Sequence, residues 1–269
     1  MSNRTRTNGS RTIDRRLTEG RGQGRRGDYL PWLQIHDSAS RGQVNRVRSA
    51  LIGRTCHMLS KLETDWFHVF HAVPGLTDIR EQFPLDLQET LEIATRLGII
   101  HPTDPRTKQP CVATTDFLLT IQDGLRVMET AVTVKPSADL ASPRTLEKFE
   151  IERIYWSARN ISWRILTEKE LPAGLVKNMR WLQPHIDVSG STDLTAEKVF
   201  QIRTAMEPDI LDGKRSLVEI TTTCDDRLGL KPGSALCVAR HLIGSHVWLV
   251  DLTVEINPRK ALKVVCNKR

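Results

Sequence analysis

Residues 113–119, reading ATTDFLL, form an apolar run interrupted by Asp116, and residues 127–136, VMETAVTVKP, follow it with strand-like alternation. Val, Leu, Phe and Thr favour strands, and Asp123-Gly124 between the two runs is a hairpin signal, so the pattern predicts two buried antiparallel strands. Alternation puts Thr133 and Lys135 on one face and Val132 and Val134 on the other. Asp116 inside one strand, and Lys135 closing the other just before Pro136, are residues a core strand should avoid. A carboxylate and an ammonium brought together across a hairpin make a structural ion pair or a catalytic pair, and the structural pair is the commoner.

Upstream, residues 56–70 read CHMLSKLETDWFHVF. At about 100° per residue Cys56, Leu59, Leu62, Trp66, Phe67 and Phe70 make one apolar stripe, which predicts a helix ended by Pro74-Gly75. Glu63 falls inside the stripe, whereas His57, Lys61 and Asp65 point elsewhere as solvated positions. An unpaired ionised carboxylate on a buried face costs several kcal/mol, so Glu63 needs a partner, a metal ion or a cation, unless it lies at a helix end and reaches water.

The remaining pattern gives a strand over 78–85, a helix from an Asp86 cap to Arg96, a polar loop over 101–110, a helix from Ser142-Pro143 to about Arg159, and a strand over 161–167. The helix after Pro143 lines up Leu146, Phe149 or Glu150, Arg153 and Trp156. Its Glu147, Glu150 and Glu152 are read as a charged solvent face, with a fourth acidic ligand among them as the alternative. The order helix, strand, helix, strand, strand, helix, strand predicts an α/β fold, a mixed sheet flanked by helices, over residues 28–171. Beyond residue 172 come a short helix around Trp181, a helix to Met206, helices at 216–222 and 234–243, and strands at 246–252 and 254–257. That is a winged-helix-like order for 172–269, with Arg240 and His241 able to reach DNA.

The chain's 269 residues suit two domains, and no apolar run is long enough for a membrane span or a signal peptide, which points to the cytoplasm. Five scattered cysteines without a C-x-x-C fit reduced thiols and argue against a zinc ribbon. His68 and His71 lack accompanying ligands at metal spacing and are read as surface or packing histidines. The net charge of +7 is concentrated at the start, where residues 1–30 carry eight arginines against three acids. Residues 1–27 are therefore expected to be a basic disordered arm suited to phosphate contacts. Arg41, Arg46, Arg48 and Arg54 would line the route of a DNA backbone towards Glu63.

A helix Glu63, a strand Asp116 and a second strand ending in Lys135 are the parts of a metal-dependent phosphodiesterase site, because two carboxylates can hold Mg²⁺ and a lysine can serve the attacking water. The surrounding text sharpens this. LSKLETDWF at 59–67, DIREQFPL at 78–85, TTDFLLT at 114–120, VKPS at 134–137, LEKFEIERIYW at 146–156, SWRILTEKEL at 162–171 and VKNMRWL at 176–182 resemble the TnsA family of transposon endonucleases, within the restriction-endonuclease-like superfamily. The resemblance implies Glu63, Asp116 and Lys135 as catalytic residues. It further implies Mg²⁺, or Mn²⁺ in its place, held by Glu63 and Asp116 with Thr133 and the Val134 carbonyl. Thr133 departs from the longer Gln or Glu usual there, which leaves the number of metal ions open. As partners the resemblance implies double-stranded DNA at transposon ends, a transposase, and an AAA+ ATPase regulator docked by the carboxyl domain. Two other classes compete: a nuclease fold kept as a non-catalytic scaffold, and a winged-helix transcription regulator.

Overall fold

The computed structural model describes residues 10–37, 43–104, 107–188 and 193–264. The chain folds into two compact units, Met1–Leu171 and Pro172–Arg269.

The first unit is built on a four-stranded sheet of β3 (Leu76–Pro84), β4 (Thr114–Asp123), β5 (Arg126–Val134) and β6 (Ser162–Leu166), in that order. The first three strands are antiparallel neighbours, and β5 and β6 are parallel. The Asp123-Gly124 hairpin forms as expected, with Gly124 at φ +58°. Helix α3 (Leu87–Leu97) starts on the Asp86 cap, whose carboxylate accepts the Glu89 N–H at 2.8 Å, and stops at a left-handed Gly98. Helix α4 (Pro143–Ser157) carries the chain from β5 to β6. Ile93, Ala94, Ile151, Tyr155 and Trp156 of these two helices bury one sheet face with Leu118 and Ala131. The opposite face receives helix α2 (Lys61–Phe70), where Phe67 and Phe70 meet Phe117 at ring-centroid distances of 6.4 and 5.2 Å. The Trp66 indole of α2 also donates to the Thr167 carbonyl just beyond β6, at 3.1 Å.

The structure corrects several expectations in this unit. Cys56 and His57 belong to a small hairpin of β1 (Asn45–Ser49) and β2 (Arg54–Met58), and α2 begins only after the Ser60 cap. The hairpin is fastened to β3 by Arg54, whose guanidinium holds the buried Glu81 carboxylate at 2.7 and 2.5 Å. That side chain therefore serves packing, and of the DNA-route arginines only Arg46 and Arg48 lie exposed on β1, while Arg41 falls outside the described residues. Asp65, expected in solvent, is buried and paired with Lys61 at 2.5 Å. His68 and His71 are buried packing residues of α2 and its cap; His71 is bonded to Ser49 at 2.8 Å.

Residues 10–27 are ordered, contrary to the expected disordered arm, whose residues 1–9 lie outside the described residues. Helix α1 (Ser10–Thr18) forms, and Arg16 and Arg21 reach the buried Asp37 carboxylate at 3.4 and 2.5 Å. Arg16 also lies over the Trp32 ring, 5.5 Å from its centroid. An arginine-rich stretch orders when a buried carboxylate and an indole face take its charges, and neither partner is adjacent in sequence.

The second unit contains α5 (Ala173–Leu182), α6 (Ala196–Asp212), α7 (Leu217–Leu228) and α8 (Ser234–Gly244), close to the expected helices. Among its described residues there is no strand, and only a Val250–Val264 bridge stands where two wing strands were expected. The backbone there is satisfied otherwise: the Asn178 amide donates to the Leu252 and Val254 carbonyls and accepts the Ile256 N–H, each at 2.8 Å. Arg240 donates to the Trp181 carbonyl and stacks over its ring, and His241 bonds the Ile186 carbonyl at 2.7 Å. Both side chains are thus committed within the unit. Among the described residues no helix is long and apolar enough to cross a membrane.

Candidate active site

Glu63, Asp116 and Lys135 arrive from three different elements, and the structure brings them to one end of the sheet. Glu63 sits in the first turn of α2, 8 % exposed, its N–H bonded to the Ser60 cap at 3.1 Å. Its Oε2 accepts the Leu59 N–H at 2.9 Å and one hydrogen of the Gln82 amide at 3.3 Å. The same amide nitrogen lies 3.4 Å from Asp116 Oδ1, and the other Asp116 oxygen accepts the Val134 N–H at 2.7 Å. One amide group therefore spans the two carboxylates, and the backbone of β5 fixes Asp116 from the far side.

Glu152 is a further member that a solvent-face reading of α4 passes over. It is 7 % exposed, and its Oε2 accepts the hydroxyls of Thr133 at 2.7 Å and Thr115 at 3.1 Å. The buried side of α4 runs through Phe149, Glu152, Tyr155 and Trp156, so spacing from Phe149 by three and from Trp156 by four would have found it. Glu147 and Glu150 do face solvent, paired with Arg144 at 2.7 Å and Arg153 at 2.6 Å. The Thr133 hydroxyl is taken up by Glu152 and by the Trp163 indole N–H at 3.1 Å.

Electrostatics mark the cluster. Burial, reinforced by the Asp116 charge, pushes the Glu63 carboxyl up to about 8. Burial raises Asp116 to about 6, against the opposing pull of the Val134 N–H, the Gln82 amide and the nearby Lys135 charge. Burial raises Glu152 to about 8 as well, with Asp116 adding to it and the Thr133 hydroxyl opposing it. Lys135 is 38 % exposed at the end of β5, its N–H bonded to the Leu166 carbonyl at 3.0 Å and its ammonium 3.4 Å from Asp139. Three acids are thus held above their usual range, and Lys135 opposes the shift at Asp116.

Among the described residues no three acidic, histidine or cysteine side chains converge closely enough to cage an ion by themselves. An all-oxygen set contributing one or two carboxylates nonetheless matches Mg²⁺, which keeps several waters and shares its remaining positions with substrate phosphate.

Residues 74–168 match the family described as TnsA-like endonuclease N terminal, and residues 170–252 match TnsA endonuclease C terminal. Gln82, Asp116, Lys135 and Glu152 fall inside the first match, and Glu63 lies ahead of it. The transposon Tn7 transposition protein TnsA of Escherichia coli is 36 % identical over 230 residues, covering 86 % of this chain and 82 % of that protein.

Proposed function

The chain belongs to the TnsA endonuclease family, and on that premise we propose that it is a metal-dependent DNA endonuclease cutting the 5′ ends of a transposon. The observation that carries this reading is the meeting of Glu63 and Asp116 on one amide, beside Val134 and Lys135 at the end of β5. Glu63, Asp116 and the Val134 carbonyl would hold Mg²⁺, or Mn²⁺ in its place. The Thr133 hydroxyl, which donates to Glu152 at 2.7 Å, is engaged there instead of serving as a ligand. When bound, the ion supplies Lewis-acid polarisation of the scissile phosphate and acidifies water for attack.

Lys135 has the reach of a long, partly exposed side chain. It orients the attacking water and offsets the negative charge that develops on the phosphate. Water attacks in line, the bond from phosphorus to the 3′ oxygen breaks, and that oxygen takes up a proton, leaving 5′-phosphate and 3′-hydroxyl ends. In this reading the protein works in the cytoplasm with a partner transposase that cuts the 3′ ends. The helical carboxyl unit serves to dock an AAA+ regulator.

The test is strand-resolved cleavage of DNA carrying the cognate transposon end, with the partner transposase and Mg²⁺ or Mn²⁺. Wild type should give 5′-strand cuts that Asp116→Ala abolishes while 3′ cuts persist. Identical cuts from both proteins would make the chain an adaptor.

A further inference from the structure

Gln82 has no place in the reaction just described, yet it is the residue that touches both acids. It is 2 % exposed, and its backbone takes φ +49°, an uncommon conformation for a residue with a side chain. The ladder shows why it matters: Glu81 pairs with Phe117 and Phe83 with Thr115, so Gln82 stands opposite Asp116. The left-handed turn of the backbone at this point breaks the alternation of β3, and the amide lies between α2 and β4.

Four features over-determine the arrangement. The Gln82 carbonyl accepts the Trp32 N–H at 3.2 Å, so the segment after α1 holds the strand from outside. That segment lies tight on β3, since a Cβ on Gly22, at φ +80°, would stand 2.3 Å from Pro84 Cγ. Next door, Glu81 is locked by Arg54. Within the side chain, Oε1 accepts the Thr114 hydroxyl at 3.2 Å, which leaves the NH₂ group for the carboxylates. Its two hydrogens serve Glu63 at 3.3 Å and Asp116 at 3.4 Å. Strained backbone that persists at a site is kept by its surroundings and marks function.

We infer that Gln82 is a positioning residue: its amide sets the separation and orientation of Glu63 and Asp116 so that the two present one preformed oxygen pair to a divalent cation. The inference rests on the metal-site reading above. An amide suits the task because it donates to two carboxylates without adding charge, so it spaces them and does not compete with the ion as an ammonium would.

The test uses full-length protein with Gln82→Met, which keeps side-chain length without the amide, and Gln82→Gly, which keeps the left-handed backbone without a side chain. Mn²⁺ binding by calorimetry should weaken about 10- to 100-fold in both, the loss typical of removing a ligand's supporting partner. In the complete cleavage reaction kcat should fall while KM for DNA stays within about twofold, and raising Mn²⁺ should restore kcat, which a general folding defect would not allow. Wild-type Mn²⁺ affinity in the two Gln82 variants, alongside lost affinity in Asp116→Ala, overturns the positioning role and leaves the metal site standing. Wild-type affinity in Asp116→Ala as well overturns the metal site itself.

Discussion

Thr133 and Glu152 form a buried donor–acceptor pair across the β5–α4 junction, the hydroxyl donating to the carboxylate at 2.7 Å. Thr133→Val keeps the shape and strips the hydroxyl from Glu152 and from the Trp163 indole. Leaving buried polar atoms unpaired costs about 1–3 kcal/mol. The midpoint of urea unfolding should drop accordingly, and an unchanged midpoint would show that Glu152 does not depend on the hydroxyl. Glu152→Gln should also cut cleavage at least about 10-fold if the carboxylate supports the ion.

The raised carboxyls make stability depend on pH in a definite direction. In the metal-free fold Glu63 and Glu152 titrate near 8 and Asp116 near 6, above ordinary values of 4.5 and 3.8. Across that window the folded state holds more protons than the unfolded one, so this contribution is complete below about pH 4 and declines as pH rises towards 8. In EDTA the melting temperature should therefore fall between about pH 5.5 and 8. Glu152→Gln should flatten the slope, and Mn²⁺ should offset the loss most at the alkaline end, where the ligands are ionised. A rising melting temperature over this range in EDTA would contradict the buried-acid cluster.

On the proposed metal-site reading, Lys135 acts apart from the ion. Its ammonium lies against Asp139, at 3.4 Å, so Lys135→Ala should bind Mn²⁺ like wild type while cleavage fails. Full activity in that variant would remove the lysine from the mechanism.

Arg54 offers a test of structure rather than chemistry. Its removal by Arg54→Ala leaves the Glu81 carboxylate, which is fully buried, to the His57 N–H at 3.0 Å. Stranding a buried charge costs about 3–5 kcal/mol. Chemical denaturation should report that loss, whereas the exposed Arg153–Glu150 pair should yield no measurable change when broken.

Much of the first unit could be read from periodicity. The Asp123-Gly124 turn, the Asp86 cap and the Ser142-Pro143 helix start are local signals, and each element they mark is present. Glu63 stood out because a charge inside an apolar stripe demands a reason. Glu152 was equally buried but lay one position off the stripe chosen for α4, which followed exposed Leu146 and Arg153 in place of Ile151 and Tyr155. Gln82 lies in the family-like stretch at 78–85, but periodicity does not single it out, since its significance comes from a backbone turn and two partners in other elements. The arm misled for the same reason: Arg16 and Arg21 owe their order to Asp37 and Trp32, which composition does not consider. The wing failed because Asn178, far upstream, satisfies a backbone that alternation alone would send into a ladder.

The Trp66–Thr167 bond ties the helix that presents Glu63 to the last residues of the unit, across a separation of 101 positions. Closing so long a loop costs chain entropy that must be met before the contact repays it. During synthesis α2 emerges long before its anchor, and Glu152 emerges late as well. A chain that stops short of Thr167 thus carries Glu63 and Asp116 without the anchor of the helix that presents Glu63.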